Sequence, residues 1–378
     1  MKIFLDGRIP GGGIGRHVRW LRHSLTQRLG AERCVIFAGG AADGTRGPAG
    51  RSLPRAAAGA VKRIVTDQHL LPRRVAKSGA EVFHSPNYLV PERLSIPAVV
   101  DCYDLTLIDH FESKKRGPMK SYERHLLLDA LVRARCVVTP SEAVRRELLR
   151  RFELDPERVE TIYPALPDLT EAVDETRLPV TATVPFFLSV GTIEPRKNLE
   201  RLLEAHRIVW ESSSVPLILA GAYGWRQRAP VRSLRESGGA VYWSGWVPDD
   251  VLGALYRRAS AVVQPSLAEG FDLPVLEALA AGAPVVLSDL AVHREVAGDL
   301  GLYAPADEVE ALAARMREAL EWDGQRRARH HQRATARVEA LGRRSGIERY
   351  LEVYRRALTL DPGPRRPATA GRAASCLR

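Results

Sequence analysis

Residues 266–285 read SLAEGFDLPVLEALAAGAPV, a stretch that places acidic residues beside a predicted helix start. Two carboxylates, Glu269 and Glu277, stand on either side of a loop that turns into a helix. Pro274 has the backbone angle of a first helical position, which predicts Glu277 in the first turn. Because a helix start exposes N–H groups and the positive end of the helix dipole, it can bind an anion. The stretch therefore offers donors for phosphate and acceptors for hydroxyl groups, the mixture that a nucleotide-sugar requires.

The same stretch resembles the donor-site signature of glycosyltransferase family 4. The pattern is Glu269-Gly270-Phe271-x-Leu273-Pro274-Val275-Leu276-Glu277-Ala278, followed by Gly282 and Pro284-Val285-Val286. The family often has Gly at the position of Asp272, so the loop here is less flexible and carries one more charge. The resemblance implies a retaining transferase with the α/β GT-B fold, in which two Rossmann-like βαβ domains face each other across a cleft. It also implies donor binding by Gly13, Gly15, Gly191, Val247, Gly270, Phe271, Asp272, Leu273, Val275, Leu276 and Glu277.

Composition limits the class of protein. The 378 residues predict two or three domains, and a hydrophobic content of 45% supports sizeable cores. A net charge of +11 and a pI near 9.8 allow anionic partners. No basic motif interleaved with aromatic residues is present, so nucleic acid is not an expected partner.

Cysteine spacing and the N-terminal sequence indicate the cellular compartment in which the protein is expected. The four cysteines form no C-x-x-C pair, which indicates neither a zinc site nor a redox motif. The chain enters a strand pattern at its start, and it contains no apolar run of about 18 residues. We expect a cytoplasmic protein whose basic surface allows peripheral contact with the inner, anionic face of the membrane.

Short apolar runs alternate with helical periods, which is typical of parallel sheets covered by helices. Eleven runs predict strands, at 2–5, 34–38, 81–84, 97–101, 135–139, 159–162, 185–190, 215–220, 240–244, 261–264 and 284–287. Helices are predicted at 14–29, 66–78, 116–133, 142–152, 198–210, 228–237, 249–258, 274–282, 307–321 and 325–358. Ligands of such sheets bind at the carboxyl ends of the strands.

The predicted domains follow from this alternation and from the resemblance. Residues 1–170 form an acceptor-binding domain, and residues 180–340 form the nucleotide-sugar domain. By resemblance, a terminal helix at 345–358 crosses back onto the first domain. The tail at 361–378 is rich in proline and arginine and is predicted to be disordered.

The glycine-rich segment Gly11-Gly12-Gly13-Ile14-Gly15-Arg16 follows the first strand. Such a turn lets backbone N–H groups approach a phosphate or a sugar. The dinucleotide fingerprint G-x-G-x-x-G is not met, because Arg16 or Val18 stands where the third glycine would be. The segment is similar to the family's N-terminal loop, usually Gly-Ile-Gly-Arg-Tyr, with His17 in place of the tyrosine.

The segment Gly191-Thr192-Ile193-Glu194-Pro195-Arg196-Lys197-Asn198 follows the first strand of the second domain. Two adjacent cations beside a helix start suit a diphosphate, because each charge-assisted hydrogen bond contributes roughly 1.5–3 kcal/mol. We expect Arg196 and Lys197 to stabilise the leaving nucleoside diphosphate. The segment resembles the family's Gly-Thr-x-Glu-Pro-Arg-Lys-Asn variant, which leans towards members that use GDP-mannose.

The segment Asp101-Cys102-Tyr103-Asp104-Leu105 ends a strand of the first domain. The family usually has His-Asp-Leu here, with the histidine near the reacting sugar, and Tyr103 replaces that histidine. Tyrosine is a poor base near neutral pH. A retaining transferase of this type needs no base here if the leaving phosphate oxygen takes the acceptor's proton. Asp104 and Tyr103 join Glu269, Lys197 and Arg196 as the expected catalytic residues.

Other strand ends supply weaker candidates. His84, Asn87 and Ser141 are expected to contact the acceptor, the first two by resemblance to a His-x-Pro-Asn stretch. By resemblance, the backbone near Val247 flanks the nucleobase, and Trp246 either stacks on that base or belongs to the core. No Asp-x-Asp triplet occurs. We therefore expect no metal and no cofactor, the helix start and the two cations taking the place of a metal's charge.

The function predicted is transfer of a hexose from a GDP- or UDP-linked donor to an acceptor hydroxyl. The acceptor would be a sugar, a lipid-linked sugar or a small molecule in polysaccharide, glycolipid or natural-product biosynthesis. Two alternatives stay open. One is an epimerase or a phosphorylase on the same fold, although the lysine context of a phosphorylase cofactor is not found. The other is a non-catalytic nucleotide-binding subunit, which Tyr103 and Thr192 favour and which Glu269, Lys197 and Glu277 oppose.

Overall fold

The computed structural model describes residues 1–8, 12–37, 64–86, 89–105, 128–169, 173–179, 182, 184–224 and 239–361. The chain divides into two compact units. The first consists of Met1–Ala165 together with the chain from Arg344 onward, and the second is Leu166–Arg343. Each unit is built on a parallel six-stranded sheet with helices.

The strands are short and mostly buried. They are β1 Ile3–Asp6, β2 Cys34–Phe37, β3 Val82–Ser85, β4 Ala98–Asp101, β5 Cys136–Thr139, β6 Val159–Thr161, β7 Phe187–Val190, β8 Leu217–Ala220, β9 Val241–Gly245, β10 Ala261–Gln264, β11 Val285–Ser288 and β12 Gly301–Ala304. Because helices cover both faces of a parallel sheet, its strands read as continuous apolar runs rather than as alternating patterns.

The helices lie between these strands and after them. They are α1 Gly12–Leu29, α2 Leu71–Ser78, α3 Glu142–Phe152, α4 Leu199–Ser213, α5 Asp249–Arg258, α6 Leu273–Ala280, α7 Ala291–Ala297, α8 Val309–Leu320, α9 Gly324–Gly342 and α10 Ile347–Thr359. A wide helical turn at Thr66–Leu70 leads into α2, and residues 128–133 are also helical.

The first sheet has the strand order β2-β1-β3-β4-β5-β6. Alternate residues of β1 face opposite sides: Phe4 belongs to one apolar cluster, while Ile3 and Leu5 belong to the other. The second cluster includes Tyr350 and Tyr354 of α10. The last helix therefore completes one face of the first unit's core.

The second sheet has the order β12-β11-β10-β7-β8-β9. The direction of strand addition reverses between β7 and β10, which pair in parallel. In open parallel sheets, ligands bind beside such a reversal, outside the carboxyl ends of the strands. A ligand-binding site is therefore expected at the loops after β7 and β10.

All eleven predicted strands are present within two residues of their predicted bounds. The sequence interpretation missed β12 and α7, because both are short and β12 begins with Gly301. The single helix expected at 325–358 is two helices, α9 and α10, separated at 343–346. The helix predicted at 228–237, most of the one predicted at 116–133 and the tail beyond Asp361 lie outside the described residues.

Candidate functional site

Two loops meet at the strand reversal of the second sheet. After β7, the chain runs through Gly191 to a tight turn at Pro195–Lys197. After β10, it runs from Pro265 to the start of α6. The N–H of Leu267 donates to the carbonyl of Arg196 at 2.7 Å, and the Asn198 amide donates to the carbonyl of Pro265 at 3.0 Å. These bonds fix the two loops against each other.

A charged cluster is buried between these loops. Lys197 Nζ lies 2.8 Å from Glu269 Oε1 and 3.2 Å from Asp272 Oδ1. Arg196 forms ion pairs with Glu269 and, at 2.5 Å, with Glu194. The side chains of Lys197, Glu269 and Asp272 are at most 8% exposed. Three of the residues predicted for catalysis, Glu269, Lys197 and Arg196, are thus brought into direct contact.

The charge of Lys197 is maintained by its neighbours. Burial alone would lower the pKa of this ammonium group, but the carboxylates of Asp272 and Glu269 raise it above its ordinary value. Glu269 faces a cation on each of its carboxylate oxygens. The two cations expected to bind phosphate are therefore already paired with carboxylates, so an incoming diphosphate must compete with Glu269 for them.

Asp272 has a special backbone position at the start of α6. Its φ of 62° lies in the left-handed region, where glycine is favoured and aspartate is tolerated. Its side chain does not cap the helix. Instead it points to Lys197 and to His293, whose Nε2 lies 3.0 Å from Asp272 Oδ2.

The start of α6 differs from the sequence interpretation. The helix begins at Leu273, so Pro274 is the second helical residue and Glu277 is the fifth, in the second turn. Pro274 has no N–H to donate. The N–H of Val275 donates to the Asp272 carbonyl at 2.9 Å. The N–H of Val275 is thus engaged within the turn, and phosphate binding by the backbone around Leu273, Val275 and Leu276 stays a prediction.

Glu277 is held deep in the second unit. It is 2% exposed and accepts a hydrogen bond of 2.7 Å from the hydroxyl of Tyr256 on α5. Gly270 and Phe271, by contrast, belong to the loop before α6, and both are buried. The expected binding of ribose hydroxyls by Glu277 stays a prediction.

A small cavity opens beside the β7 loop. Its lining includes Gly191, Thr192, Lys197, Gly221 and Trp243. Gly191 has a φ of +143°, and a Cβ atom there would lie 2.9 Å from Lys197 Cε. The absence of a side chain at this position leaves room for the extended lysine.

Trp246 and Val247 follow β9 at the same edge of the sheet. Trp246 is 71% exposed, which excludes the core role considered for it. Val247 is partly exposed. An exposed indole at a strand end is available for stacking on a planar ligand.

The first unit contains a second polar cluster, centred on Asp101 at the end of β4. His84 Nε2 lies 3.1 Å from Asp101 Oδ1, and the Tyr103 hydroxyl donates to Asp101 Oδ2 at 3.1 Å. His17 Nε2 lies 3.7 Å from Asp101 Oδ2 and 3.0 Å from the hydroxyl of Tyr350. Burial would raise the pKa of Asp101, but contacts with His84 and His17 hold it well below its usual range.

Several candidates of the first unit have structural partners. Ser141 is fully buried, and its hydroxyl caps α3 by accepting the N–H of Val144 at 3.1 Å. His84 is fully buried between Asp101 and the Tyr354 hydroxyl, which lies 2.7 Å from its Nδ1. Both side chains therefore have structural roles in the first unit, and their expected contact with an acceptor stays a prediction. Asn87 lies outside the described residues.

Of the remaining first-unit candidates, Tyr103, Asp104 and Gly13 are at least partly exposed, while Gly15 is buried. Tyr103 and Asp104 are partly exposed, and they follow β4. Gly13 and Gly15 lie inside α1, because that helix begins at Gly12, before the predicted start at 14. Gly13 is exposed, and a Cβ atom there would meet nothing within 4 Å.

Three residues of these clusters escaped the sequence interpretation: His293, Asp101 and Tyr256. Each is a single polar residue next to an apolar run, which carries no motif. For Asp101, the spacing Asp101-x-Tyr103 could have indicated that the two side chains meet, since alternate residues at a strand end can face the same side.

Models of two protein families match the chain. Residues 11–168 match Glycosyltransferase Family 4, and residues 174–337 match Glycosyl transferases group 1. Among curated proteins, the O-antigen chain mannosyltransferase B of Escherichia coli is 34% identical over 257 residues, which are 65% of this chain and 66% of that protein. The O-antigen chain mannosyltransferase RfbU of Salmonella typhimurium is 30% identical over 50% of this chain. The chain thus spans just under two thirds of the first relative and 52% of the second.

Solved structures show the same architecture. Sucrose-phosphate synthase of Thermosynechococcus elongatus superposes with a TM-score of 0.71 over 94% of this chain and 98% of that one, at 20% identity. The predicted fold class, α/β of the GT-B type, is confirmed. Among the described helices, none combines the length and the apolar character that crossing a membrane requires.

Proposed function

Because this chain belongs to the family 4 and group 1 glycosyltransferases, we propose that it transfers a hexose from a nucleoside-diphosphate sugar to an acceptor hydroxyl with retention. One observation carries the proposal. Arg196 and Lys197 from the loop after β7 contact Glu269 from the loop after β10, at the strand reversal where parallel sheets bind ligands. Cations and a carboxylate placed together there suit the phosphates and hydroxyls of such a donor.

Donor binding begins as an exchange of ion-pair partners. The diphosphate takes the place of Glu269 on Arg196 and Lys197, which keeps both cations paired. Glu269 is then released to accept a hydrogen bond from a hydroxyl of the donor sugar. Its negative charge also favours the positive charge that develops on the ring. Charge-assisted hydrogen bonds from both cations stabilise the leaving phosphate.

The nucleoside binds along the same edge of the sheet. Glu277, already oriented by Tyr256, accepts hydrogen bonds from the ribose hydroxyls. The base lies near the backbone of Val247, with the exposed ring of Trp246 available to stack on it. Gly191, Gly270 and Phe271 shape the loops around the phosphates.

The reaction proceeds on one face of the sugar ring. The bond from the anomeric carbon to the phosphate oxygen breaks, and a bond to the acceptor oxygen forms on the same face. The acceptor's proton passes to the departing phosphate oxygen, so no histidine is needed at the position of Tyr103. Tyr103 and Asp104 of the first unit are the proposed contacts to the acceptor.

The donor is GDP-mannose. Support comes from the mannosyltransferase relatives and from the variant segment at Glu194. UDP-linked hexoses are the second donor class to test. The acceptor is a sugar, a lipid-linked sugar or a small molecule with a free hydroxyl, and peripheral contact with an anionic membrane would bring a lipid-linked acceptor within reach.

The experiment is a donor screen followed by a transfer assay. Thermal shift with GDP-mannose, UDP-glucose, UDP-N-acetylglucosamine and dTDP-glucose identifies the donor, because a ligand bound by the native state raises Tm. Transfer to mannosides is then measured for wild type and Glu269→Ala. The proposal predicts acceptor-dependent turnover that Glu269→Ala abolishes. Equal turnover by both proteins would show that the site is wrong, and donor turnover without an acceptor would favour an epimerase.

Metal independence is part of the proposal. The paired cations supply the charge that a divalent ion supplies in other transferases. Transfer is therefore expected to persist in excess EDTA, at the rate measured with added Mg²⁺ or Mn²⁺. Loss of turnover in EDTA, with recovery on adding the metal back, would contradict this part.

A further inference from the structure

His293 is a fully buried histidine on α7 that contacts the charged cluster through Asp272. Its Nε2 lies 3.0 Å from Asp272 Oδ2. Its Nδ1 lies 2.8 Å from the carbonyl oxygen of Ser288 and 3.2 Å from the Ser288 hydroxyl. The ring is thus held between the end of β11 and the start of α6.

Each of these partners is an acceptor towards the ring. A backbone carbonyl can only accept. The Ser288 hydroxyl donates its hydrogen to the carbonyl of Ser266 at 2.6 Å, so its oxygen accepts a hydrogen bond from the ring. Asp272 is ionised, because its Oδ1 lies 3.2 Å from the Lys197 ammonium group, and Lys197 and His293 lower its pKa although burial alone would raise it. A proton is therefore required on both ring nitrogens, which makes His293 an imidazolium.

The charge count of the cluster depends on this proton. Three carboxylates, Glu194, Glu269 and Asp272, are linked to Arg196 and Lys197. With only those two cations, the cluster would carry a net charge of −1. With the imidazolium of His293, three negative charges meet three positive ones.

We propose that His293, as a buried imidazolium, is a positioning residue of the donor site that neutralises Asp272 and so leaves Lys197 able to bind phosphate. The proposal rests on the function proposed above. Without the imidazolium, Asp272 would have Lys197 as its cation, and the diphosphate would approach a site with net negative charge. With it, Lys197 exchanges Glu269 for phosphate while Asp272 keeps a partner of its own.

The test is a charge-balance experiment on nucleotide binding. Kd for GDP and for UDP is measured by calorimetry on wild type, His293→Gln, Asp272→Gly and the double variant. We expect His293→Gln to weaken binding by about tenfold or more, the range seen when an outer partner of a site is removed. Asp272→Gly keeps the left-handed backbone, since glycine suits its φ of 62°. It removes the unbalanced carboxylate, so the double variant should bind within a few-fold of wild type.

His206→Gln is the matched control. This histidine is also buried in the second unit, but its Nε2 partner is a backbone carbonyl, that of Val215 at 2.9 Å. His206→Gln should leave Kd unchanged. A loss in His293→Gln that Asp272→Gly fails to restore would indicate a packing role and overturn the proposal. Unchanged Kd in His293→Gln would overturn it as well.

A spectroscopic measurement decides the protonation state independently of binding. In wild type labelled with ¹⁵N-histidine, both ring nitrogens of His293 should show imidazolium chemical shifts at pH 7.5. The His293 resonances are assigned by their loss in the spectrum of His293→Gln. If that variant does not fold, the double variant is used instead. Neutral shifts would overturn the proposal. If wild type binds neither GDP nor UDP, the function proposed above fails. If wild type binds and the variants bind equally, the role of His293 alone fails.

Discussion

At the scale of single residues, Lys197 shows how a buried cation is kept in place. Its ammonium group lies between Glu269 and Asp272, and it is 8% exposed at the side chain. Removing one partner of such a buried pair costs far more than the pair itself contributes, because the remaining charges are left without compensation. Lys197 should therefore matter for stability as well as for donor binding.

We predict that Lys197→Met destabilises the protein by about 3 kcal/mol, which is a fall in Tm of roughly 6–12 °C. The cause is two buried carboxylates that lose their shared cation. Differential scanning fluorimetry at pH 7 measures the effect. Lys77→Met is the control, since Lys77 is exposed on α2 and should change Tm little. Equal Tm values for the two variants would show that the cluster tolerates the uncompensated charge.

Asp101 makes stability depend on pH. Its pKa is lowered in the folded state, while an unfolded aspartate has a pKa near 3.9. For a carboxyl with a depressed folded pKa, the stabilisation is fully present above the unfolded pKa and is lost as pH falls below it. The network of Asp101 with His84, His17 and Tyr103 is therefore expected to weaken in acid.

The corresponding prediction concerns Asp101→Asn. This variant should melt at a lower temperature than wild type at pH 7, and the difference should shrink progressively below pH 4. Measuring Tm for both proteins from pH 7 to pH 3 isolates the contribution of this one carboxyl, since the other carboxyls titrate in both. A difference that stays constant over that range would contradict the lowered pKa of Asp101.

At the scale of elements, α10 completes the core of the first unit. Its residues Tyr350, Leu351, Tyr354 and Ala357 are buried. The hydroxyl of Tyr354 also lies 2.7 Å from His84 Nδ1. The helix thus contributes both apolar area and a hydrogen bond to the network around Asp101.

Two variants of Tyr354 separate these contributions. Tyr354→Ala should lower the unfolding free energy by about 3–5 kcal/mol, since it leaves a cavity. Tyr354→Phe should cost only about 1 kcal/mol, the contribution of one hydrogen bond. Denaturant titration followed by tryptophan fluorescence measures both, with Leu358→Ala, 41% exposed on the same helix, as the control. Similar losses for Leu358→Ala and Tyr354→Ala would mean that α10 does not anchor the core as described.

The helices and strands also show which features of the structure could be predicted from the sequence. Runs such as Ala261–Gln264 predict strands well, because a parallel sheet buries every residue of the run. The loop after β7 and the Glu269 loop were identified because their charged residues stand beside a helix start in patterns that resemble the family's donor-site segments. The short strand Gly301–Ala304 lacks such a run and was missed. His293 was missed because its role depends on α7 meeting α6, a contact that no local pattern encodes.

At the scale of the whole molecule, the second unit is a continuous piece of chain, Leu166–Arg343, and the first unit is interrupted by it. The second unit has its own apolar cluster, which includes Phe187, Leu217, Val263 and Val286. All residues of the charged cluster belong to it. The unit therefore contains both a core and the proposed phosphate-binding groups.

We predict that residues 166–343, expressed alone, fold and bind the same nucleoside diphosphate as the full chain, with Kd within about an order of magnitude. Transfer to an acceptor should be lost. Circular dichroism tests folding, and calorimetry tests binding. A folded fragment that binds no nucleotide, when the full chain does, would show that the first unit is needed to hold the phosphates.

The central claim is that Arg196 and Lys197 bind the diphosphate of a sugar donor. The measurement that tests it most directly is the equilibrium binding of GDP and UDP, in EDTA, to full-length wild type and Arg196→Ala. Arg207→Ala is the control, since Arg207 is exposed on α4 and pairs with Glu211. Wild type and Arg207→Ala should bind one nucleotide equally well, and Arg196→Ala should bind it about 10-fold to 100-fold more weakly. No binding by wild type, or equal binding by Arg196→Ala, would contradict the claim.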